Sequence, residues 1–393
     1  MITTIVLGAI PLFFYSLYYL LTLRMSSKSQ TQASKPGQKP RVSVVVPAYN
    51  EEAVIENRLA NLCSQDYRGN MEIVVIDDGS QDRTADLVRN FISENNQDIR
   101  LLSGDERQGK AAALNEAFAR CSGDIIVMTD ADTTWEDGAL TSAVSRFSNP
   151  DVGAVTGRQV LLNPSQTTAT KSEQTYRGFF ETLRIGESAL DSTPIFNGPL
   201  SCYRKVLIRK ISENSMADDS ELAFQVRKQG YRCIYNPESV FYEYTPFSLK
   251  SRFTQKVRRA QGLIQLFWRE RRALFNRRYG RFGTIVFPAE FFMIIVSPLL
   301  LTAFLFSLVA SVVMLHIPVL IAAVAVLFLA LLFLTLRKVN PIDFAVAFFD
   351  SQFTLLIALT CQLSGRSSHK WVMAEEVREL AKADGGESPR DLG

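Results

Sequence analysis

The 393-residue chain is short of charge of one sign: 43 lysines and arginines stand against 40 aspartates and glutamates, a formal charge of only +3. No global field of the kind that gathers nucleic acid follows from such a balance, so any recognition of anions has to be local. Paired cysteines are also missing. Cys63, Cys121, Cys202, Cys233 and Cys361 form no CxxC and no paired spacing, which argues against a zinc site or a disulfide framework and fits a reducing compartment. The chain lacks the GxGxxG turn of a dinucleotide-binding domain as well. Its first apolar strand runs instead into Pro47, Ala48, Tyr49, Asn50 and Glu51, which disfavours a Rossmann dehydrogenase.

Apolar residues are abundant, at 47%. Ile2 to Leu23 is almost wholly apolar or aromatic and uncharged, close to the roughly 20 residues that cross a bilayer as a helix. Its start carries no basic residue and its core is long for a signal peptide, so an uncleaved anchor over residues 1–24 is expected. Arg24, Lys28, Lys35, Lys39 and Arg41 follow it, and basic flanks stay cytosolic, which places the next domain in the cytosol. Residues 25–41 read as a linker. Further apolar blocks run from Thr284 to Leu315, from Ile317 to Leu336 and from Pro341 to Leu363, giving two to three more membrane segments within 284–363 and a tail over 364–393. Asp343 and Asp350 burden the last block, because an acid at mid-span costs roughly 2.5 to 3.5 kcal/mol on insertion scales. That block is expected as a span, a re-entrant helix or an interfacial one.

Between the membrane blocks, Val42–Val46, Ile73–Ile76, Ile125–Met128 and Gly153–Thr156 are short β-branched runs alternating with helical patterns near Ala53–Leu62, Asp82–Phe91, Lys110–Ala119 and Gly138–Phe147. The alternation predicts an α/β domain over 42–247 with a mostly parallel sheet and ligands at the carboxyl ends of its strands. The polar clusters fall at those ends. Asp77 and Asp78 end one strand, where they either accept hydrogen bonds from a base or ribose or merely cap the following turn. Asp130 and Asp132 end another, and two hard oxygen ligands so placed suit Mg²⁺ or Mn²⁺ bridging a diphosphate, against a solvated turn as the plain alternative. Gly109 and Lys110 open a helix, which puts a lysine and a helix amino terminus near a phosphate or simply a lysine on the surface. Asp218 and Asp219 begin another helix, where capping alone would explain them.

From Ser248 to Phe275, Leu249, Phe253, Val257, Leu263, Phe267 and Leu274 recur near helical spacing opposite Lys250, Arg252, Lys256, Arg258 and Arg269. A basic amphipathic helix over 248–280, just before a span, is expected at the membrane interface.

In order, VVVPAYNEE, IDDGS, GKAAALN, TDADT, FNGPLSCYRK, MADDSEL and QKVRR resemble the membrane-bound inverting glycosyltransferases of family 2, which include hyaluronan, chitin, cellulose and poly-N-acetylglucosamine synthases. The resemblance covers Val42 to about Gly262. It implies a GT-A fold in which Tyr49, Glu51, Asp77 and Asp78 hold the nucleoside, Lys110, Asp130 and Arg258 reach the donor, and Asp132 with Asp130 holds Mn²⁺ or Mg²⁺. It further implies Asp219 as general base beside Asp218, which stands where a glutamate is more usual. Asn197, Gly198, Gln255 and Arg259 fall on the acceptor side. The polymer-extending members usually carry QxxRW, whereas here Gln255 and Arg258 are followed by Arg259 instead of tryptophan. An arginine suits a phosphate on a lipid-linked acceptor. The partners so implied are a UDP-sugar donor, a lipid-linked or glycan acceptor and the bilayer, with no nucleic acid. A processive, exporting synthase and a nucleotide-sugar-binding membrane sensor or scaffold are the competing readings.

Overall fold

A computed structural model of the protein describes residues 2–29, 39–163, 168–246, 248–315 and 341–365. The expected apolar block Ile317–Leu336, most of the linker and nearly all of the tail lie outside them.

The domain is built on eight strands: β1 Val42–Ala48, β2 Met71–Asp77, β3 Ile99–Ser103, β4 Ile125–Met128, β5 Thr134–Trp135, β6 Val152–Leu161, β7 Ser201–Arg204 and β8 Arg232–Glu243. They form one sheet in the order β3-β2-β1-β4-β7-β6-β8-β5. The half from β3 to β4 is parallel, as the alternation of strands and helices predicts. Beyond it the sheet is mixed: β7 runs antiparallel to both β4 and β6, β6 and β8 are parallel, and β5 is antiparallel to β8.

The continuous apolar runs of the first strands follow from burial on both faces. Val44, Val46, Ile73, Val75, Ile125 and Val127 point to one side, where they pack with Ile55, Leu59 and Leu62 of helix α2 (Ile55–Cys63). Their alternates Val45, Val74, Ile76, Ile126 and Met128 point to the other, against Ala113, Leu114 and Ala117 of α4 (Lys110–Arg120) and Leu222 and Val226 of α7 (Asp218–Lys228). Each fully buried side chain of this size stabilises the fold by about 1.5–3 kcal/mol, so a one-residue slip of any central strand, which exchanges its two faces, is strongly disfavoured. Helix α3 (Thr84–Glu94) and α5 (Ala139–Ser145) complete the first face.

Two segments frame this domain. Helix α1 (Ile2–Ser29) is apolar over Thr3–Ser27, and a continuous helical segment is apolar over Phe282–Ser311; both are long and apolar enough to cross a membrane. The second carries two π-helical stretches, Phe282–Val286 and Phe292–Val296, around the short helix α9 (Phe287–Phe291), and then becomes α10 (Ser297–Leu315). Pro288 and Pro298 lack the N–H that a regular turn requires, and each follows a π-helical stretch, where the wider turn accommodates the gap. Helix α6 (Thr168–Leu190) leaves the sheet to cross α1 so closely that a Cβ on Gly186 would lie 2.3 Å from the Thr22 carbonyl oxygen.

Helix α8 (Leu249–Arg269) carries the expected basic amphipathic pattern. Its apolar face is covered by protein: Ala260, Ile264 and Phe267 pack with Phe224, Phe282, Phe287, Leu355 and Ala358. The residues that remain exposed beside it are Trp268 and Phe275. Pro341–Leu363 is helical (α11), and its Asp350 accepts a 2.8 Å hydrogen bond from Lys256 Nζ on α8. A paired carboxylate facing a basic helix is far cheaper to place among apolar residues than an isolated one.

Candidate active site

The carboxyl ends of β1, β2 and β4 meet at one edge of the sheet, and the chain segments that leave them are latched together. Asn50 N–H donates to Ser80 Oγ (2.9 Å), Gln81 N–H to Asn50 Oδ1 (2.8 Å), and Asp78 N–H to the Ala48 carbonyl (2.9 Å). Gly79 sits at φ +74°, and a Cβ there would lie 2.9 Å from the Arg107 backbone nitrogen, so this turn requires glycine. The Arg107 guanidinium lies 3.8 Å from the Tyr49 ring centroid, which gives the edge a stacked cation and ring.

Of the expected nucleoside residues, Tyr49 is half-buried at this edge, and Glu51, at 1% exposure, is enclosed beneath it. Asp77 is buried, and its Oδ1 accepts from Ser80 N–H at 3.1 Å. Asp78 spends its carboxylate on the backbone: Oδ1 accepts from Gln108 N–H (2.8 Å) and Oδ2 from Gly109 N–H (2.9 Å). It thereby fixes the loop that delivers Lys110.

Lys110 opens α4 and points across the sheet edge. Its Nζ donates to Asp130 Oδ1 at 2.6 Å and lies 3.7 Å from Asp218 Oδ2, so one cation joins the carboxylates that leave β4 to those that begin α7. Burial alone would lower its pKa, but Asp130 and Asp218 outweigh burial and hold it above the ordinary lysine value. Asp130 is correspondingly low: burial would raise it, and Lys110, with Arg259 and Arg258 behind, pulls it down. Asp132 goes the other way, pushed up to about 7 by burial and by the charges of Asp130 and Glu243.

Asp219 completes the cluster from α7. Its Oδ1 accepts from Ser220 N–H (2.6 Å), and its backbone carbonyl accepts from Tyr203 Oη (2.8 Å). Burial and the adjacent Asp218 push its carboxyl up to about 7. A Cβ built on Gly198 would lie 3.7 Å from Asp219 Oδ2 and 3.9 Å from Asp130 Oδ2, so the turn at Asn197 and Gly198 reaches the two acids at one point, and the missing side chain leaves the space between them open. Asn197 turns away: its Nδ2 donates to the Gly157 carbonyl at 2.8 Å, holding this turn against β6.

On α8, Arg258 is largely buried, and burial with its neighbour Arg259 lowers it to about 10 against the opposing pull of Asp218 and Asp130. Arg259 reaches Glu243 at 3.6 Å, as does Arg177 of α6 at 3.7 Å. Gln255 is half-buried one turn earlier on the same helix. Glu243 and Arg177 went unnoticed in the sequence, since each lies within a long element and outside any recognisable motif. Arg58 was missed too, although it is a charge on the otherwise apolar stripe of Ile55, Leu59 and Leu62, and that is a legible anomaly.

Among the described residues no group of three or more His, Cys, Asp or Glu forms a metal cage. Mg²⁺ and Mn²⁺ need none, since they bind through one or two carboxylates and substrate oxygens. The donor set fits such an ion: Asp132 and Asp130 are hard oxygen ligands at the site edge, and Asp132, raised to about 7 first by burial and then by the charges of Asp130 and Glu243, is a carboxyl that a bound divalent cation would help to ionise.

Comparison with known proteins agrees with this geometry. Residues 43–212 match the family described as glycosyl transferase family 2. A probable glycosyltransferase YdaM of Bacillus subtilis is 31% identical over 66% of this chain and 65% of its own length. An N-acetylglucosaminyltransferase of Azorhizobium caulinodans is 30% identical over 56% of this chain and 59% of its own. The chain therefore spans somewhat less than two thirds of these curated relatives. A mannosyltransferase of Pyrobaculum calidifontis, solved in complex with GDP-Man and Mn²⁺, superposes with a TM-score of 0.75 at 29% identity, over 93% of this chain and 99% of that one. Residues 43–212, which carry Asp77, Asp78, Lys110, Asp130 and Asp132, thus form a glycosyl transferase family 2 domain with the GT-A fold.

Proposed function

We propose that this protein is a membrane-bound inverting glycosyltransferase that moves a sugar from a UDP-sugar to a lipid-linked or glycan acceptor at the cytosolic membrane face. The observation that carries the reading is the convergence of Lys110, Asp130, Asp218 and Asp219 on the open space beside Gly198. Inversion needs one base to take the acceptor hydroxyl proton and a stabilised diphosphate leaving group. Asp219 is the base: a carboxyl near 7 is ionised in part at neutral pH and basic enough to accept a proton. Lys110 and Arg258 oppose the negative charge of the diphosphate, and Asp130 and Asp132 hold Mg²⁺ or Mn²⁺, which when bound supplies further charge neutralisation there. Tyr49, Glu51, Asp77 and Asp78 enclose the nucleoside edge, and Asn197, Gly198, Gln255 and Arg259 the acceptor side.

Arg259, in place of an aromatic side chain, favours one transfer to a phosphate-bearing lipid over processive extension. The apolar helices beside the domain, α1 and Phe282–Ser311, support a membrane setting, and the basic residues after α1 support a cytosolic one. A second reading of the donor, a GDP-sugar, is favoured by similarity to the mannosyltransferase solved with GDP-Man and Mn²⁺.

The test is product length and nucleotide release from purified protein in lipid, with Mn²⁺ and a panel of UDP- and GDP-sugars. One added sugar on an extractable lipid is expected. A polymer ladder would transfer the reading to a processive synthase, and release from GDP-sugars alone would change the donor. If every donor stays intact with membrane lipids present while nucleotide still binds, the sensor or scaffold reading replaces this one.

A further inference from the structure

Arg58 is the most deeply buried cation among the described residues, at 2% exposure, and it makes no ion pair there. An enclosed guanidinium with no carboxylate in contact is expensive, so its place on the apolar face of α2 calls for a reason. Its hydrogen bonds supply one. Nη1 donates to Asn61 Oδ1 (2.6 Å), Nη2 donates to Thr129 Oγ1, and the guanidinium lies 4.6 Å from the Trp135 ring centroid. Thr129 immediately precedes Asp130, and Trp135 follows shortly after Asp132. Asn61 binds the far end a second time, accepting from Trp135 N–H (2.9 Å) and donating to the Trp135 carbonyl (3.0 Å). Both ends of the turn that presents the two acids are thus tied to one face of α2.

The same network reaches the acceptor side. The Pro199 carbonyl accepts from Thr129 Oγ1 and from Trp135 Nε1, each at 2.8 Å, and Pro199 follows the glycine that faces Asp219 and Asp130. Behind the acids the guanidinium also contributes charge: burial lowers it to about 9, with Asp130 and Asp132 opposing, so it stays protonated at neutral pH.

We propose that Arg58 is a positioning residue for glycosyl transfer, clamping both ends of the 129–135 turn, coupling that turn to Gly198–Leu200, and placing a fixed positive charge behind Asp130 and Asp132. The inference rests on the reading of those acids as the metal and diphosphate site. A rigid, hydrogen-bonded support of this kind fixes ligand carboxylates before the donor arrives.

Arg58→Met tests it, because no partner is orphaned: Thr129 keeps Pro199, and Asn61 keeps both bonds to Trp135. The probe is Mn²⁺ titrated into the full chain with UDP and, separately, GDP, with free Mn²⁺ read by electron paramagnetic resonance and without turnover. Arg58→Met should weaken Mn²⁺ binding about 10-fold and lower kcat about 10- to 100-fold, with metal-free nucleotide affinity and melting temperature near wild type. Arg58→Lys, which keeps the charge and loses the two-pronged fork, should shift the same two quantities in the same direction. Wild-type Mn²⁺ affinity and kcat in Arg58→Met, or full restoration by lysine, would overturn the proposal. If Arg58→Met does not fold, Arg58→Lys decides alone on the same criterion. A wild-type chain that binds nucleotide but no Mn²⁺ overturns the metal reading and this proposal with it, whereas normal wild-type binding matched by Arg58→Met overturns this proposal only.

Discussion

Asp219→Asn should abolish turnover and, at alkaline pH, make the protein more stable. The first effect follows from its proposed role: removing a positioned general base costs about 10²- to 10⁴-fold in kcat, or roughly 3–5 kcal/mol. The second follows from its surroundings. Burial and Asp218 raise the carboxyl from its ordinary value of 3.8 to about 7, so the native state holds this proton more tightly than the unfolded chain does. The sign is therefore opposite to that of a salt-bridged acid: the penalty is absent below about pH 4, grows as the unfolded state ionises, and is complete above about pH 7. A rise of that size, which already includes the opposing pull of Lys110, corresponds to at most about 4 kcal/mol, and partial solvent contact reduces it to about 1–2 kcal/mol. Asparagine keeps the acceptor for Ser220 N–H and carries no charge, so the variant should melt a few degrees higher at about pH 8, with the gain fading by about pH 5. Donor KM should stay within about twofold, since the lost interaction acts in the transition state. The assay pairs initial rates with thermal melts at both pH values. A variant that keeps more than about a tenth of wild-type kcat, or whose melting temperature falls equally at both pH values, refutes the reasoning.

Three further outcomes are expected. Lys110→Met leaves Asp130 enclosed without its 2.6 Å partner and removes a charge facing the diphosphate; kcat/KM for donor should fall at least about 100-fold, read from initial rates across donor concentrations. Gly198→Ala adds a methyl group 3.7 Å from Asp219 Oδ2 and 3.9 Å from Asp130 Oδ2, ordinary contact distances, so the protein should fold with an unchanged melting temperature and lose about 10-fold or more in kcat/KM. Gly186→Ala does the reverse: its methyl group would sit 2.3 Å from the Thr22 carbonyl oxygen, so α1 must move off α6, and stability should drop by about 1–3 kcal/mol in a melt of the detergent-solubilised protein.

The parallel half of the sheet was legible because its signal is local. Val42–Val46, Ile73–Ile76 and Ile125–Met128 are apolar runs that need burial on both faces, and each lies within the observed β1, β2 and β4. The antiparallel half was not, because β7 and β8 owe their places to partners far away in sequence. Ser201–Arg204 is four mixed residues that become a strand only between β4 and β6. Arg232–Glu243 alternates imperfectly and is interrupted by Pro237, so its register with β6 shifts between Gly157 and Arg158. The acids of the site could be read one by one, but not what each contacts. Asp78 looks from sequence like a ligand-binding carboxylate, and its oxygens are engaged by the backbone of Gln108 and Gly109. Lys110 looks like a surface lysine opening a helix, and it joins two acidic motifs that are far apart in sequence by reaching Asp130 and Asp218.

The charge balance of the site connects base strength with donor binding. Asp130 is held ionised by Lys110, and Glu243 is faced by Arg177 and Arg259, yet the charges of both still raise Asp132. Asp132 and Asp219 are the two that titrate near 7, each raised first by burial and then by the acid beside it. Burial is the larger cause of each rise, and the neighbouring acids add to it. On the proposed function, a nucleoside diphosphate would add at least two more negative charges at the same edge, where Lys110 is already paired with Asp130 and Asp218. On the proposed function, donor binding at neutral pH would be eased by protonation of these acids or by an added cation. On the same proposal, protonation would disable Asp219 as a base, whereas a divalent ion at Asp130 and Asp132 would neutralise the donor and leave the base ionised.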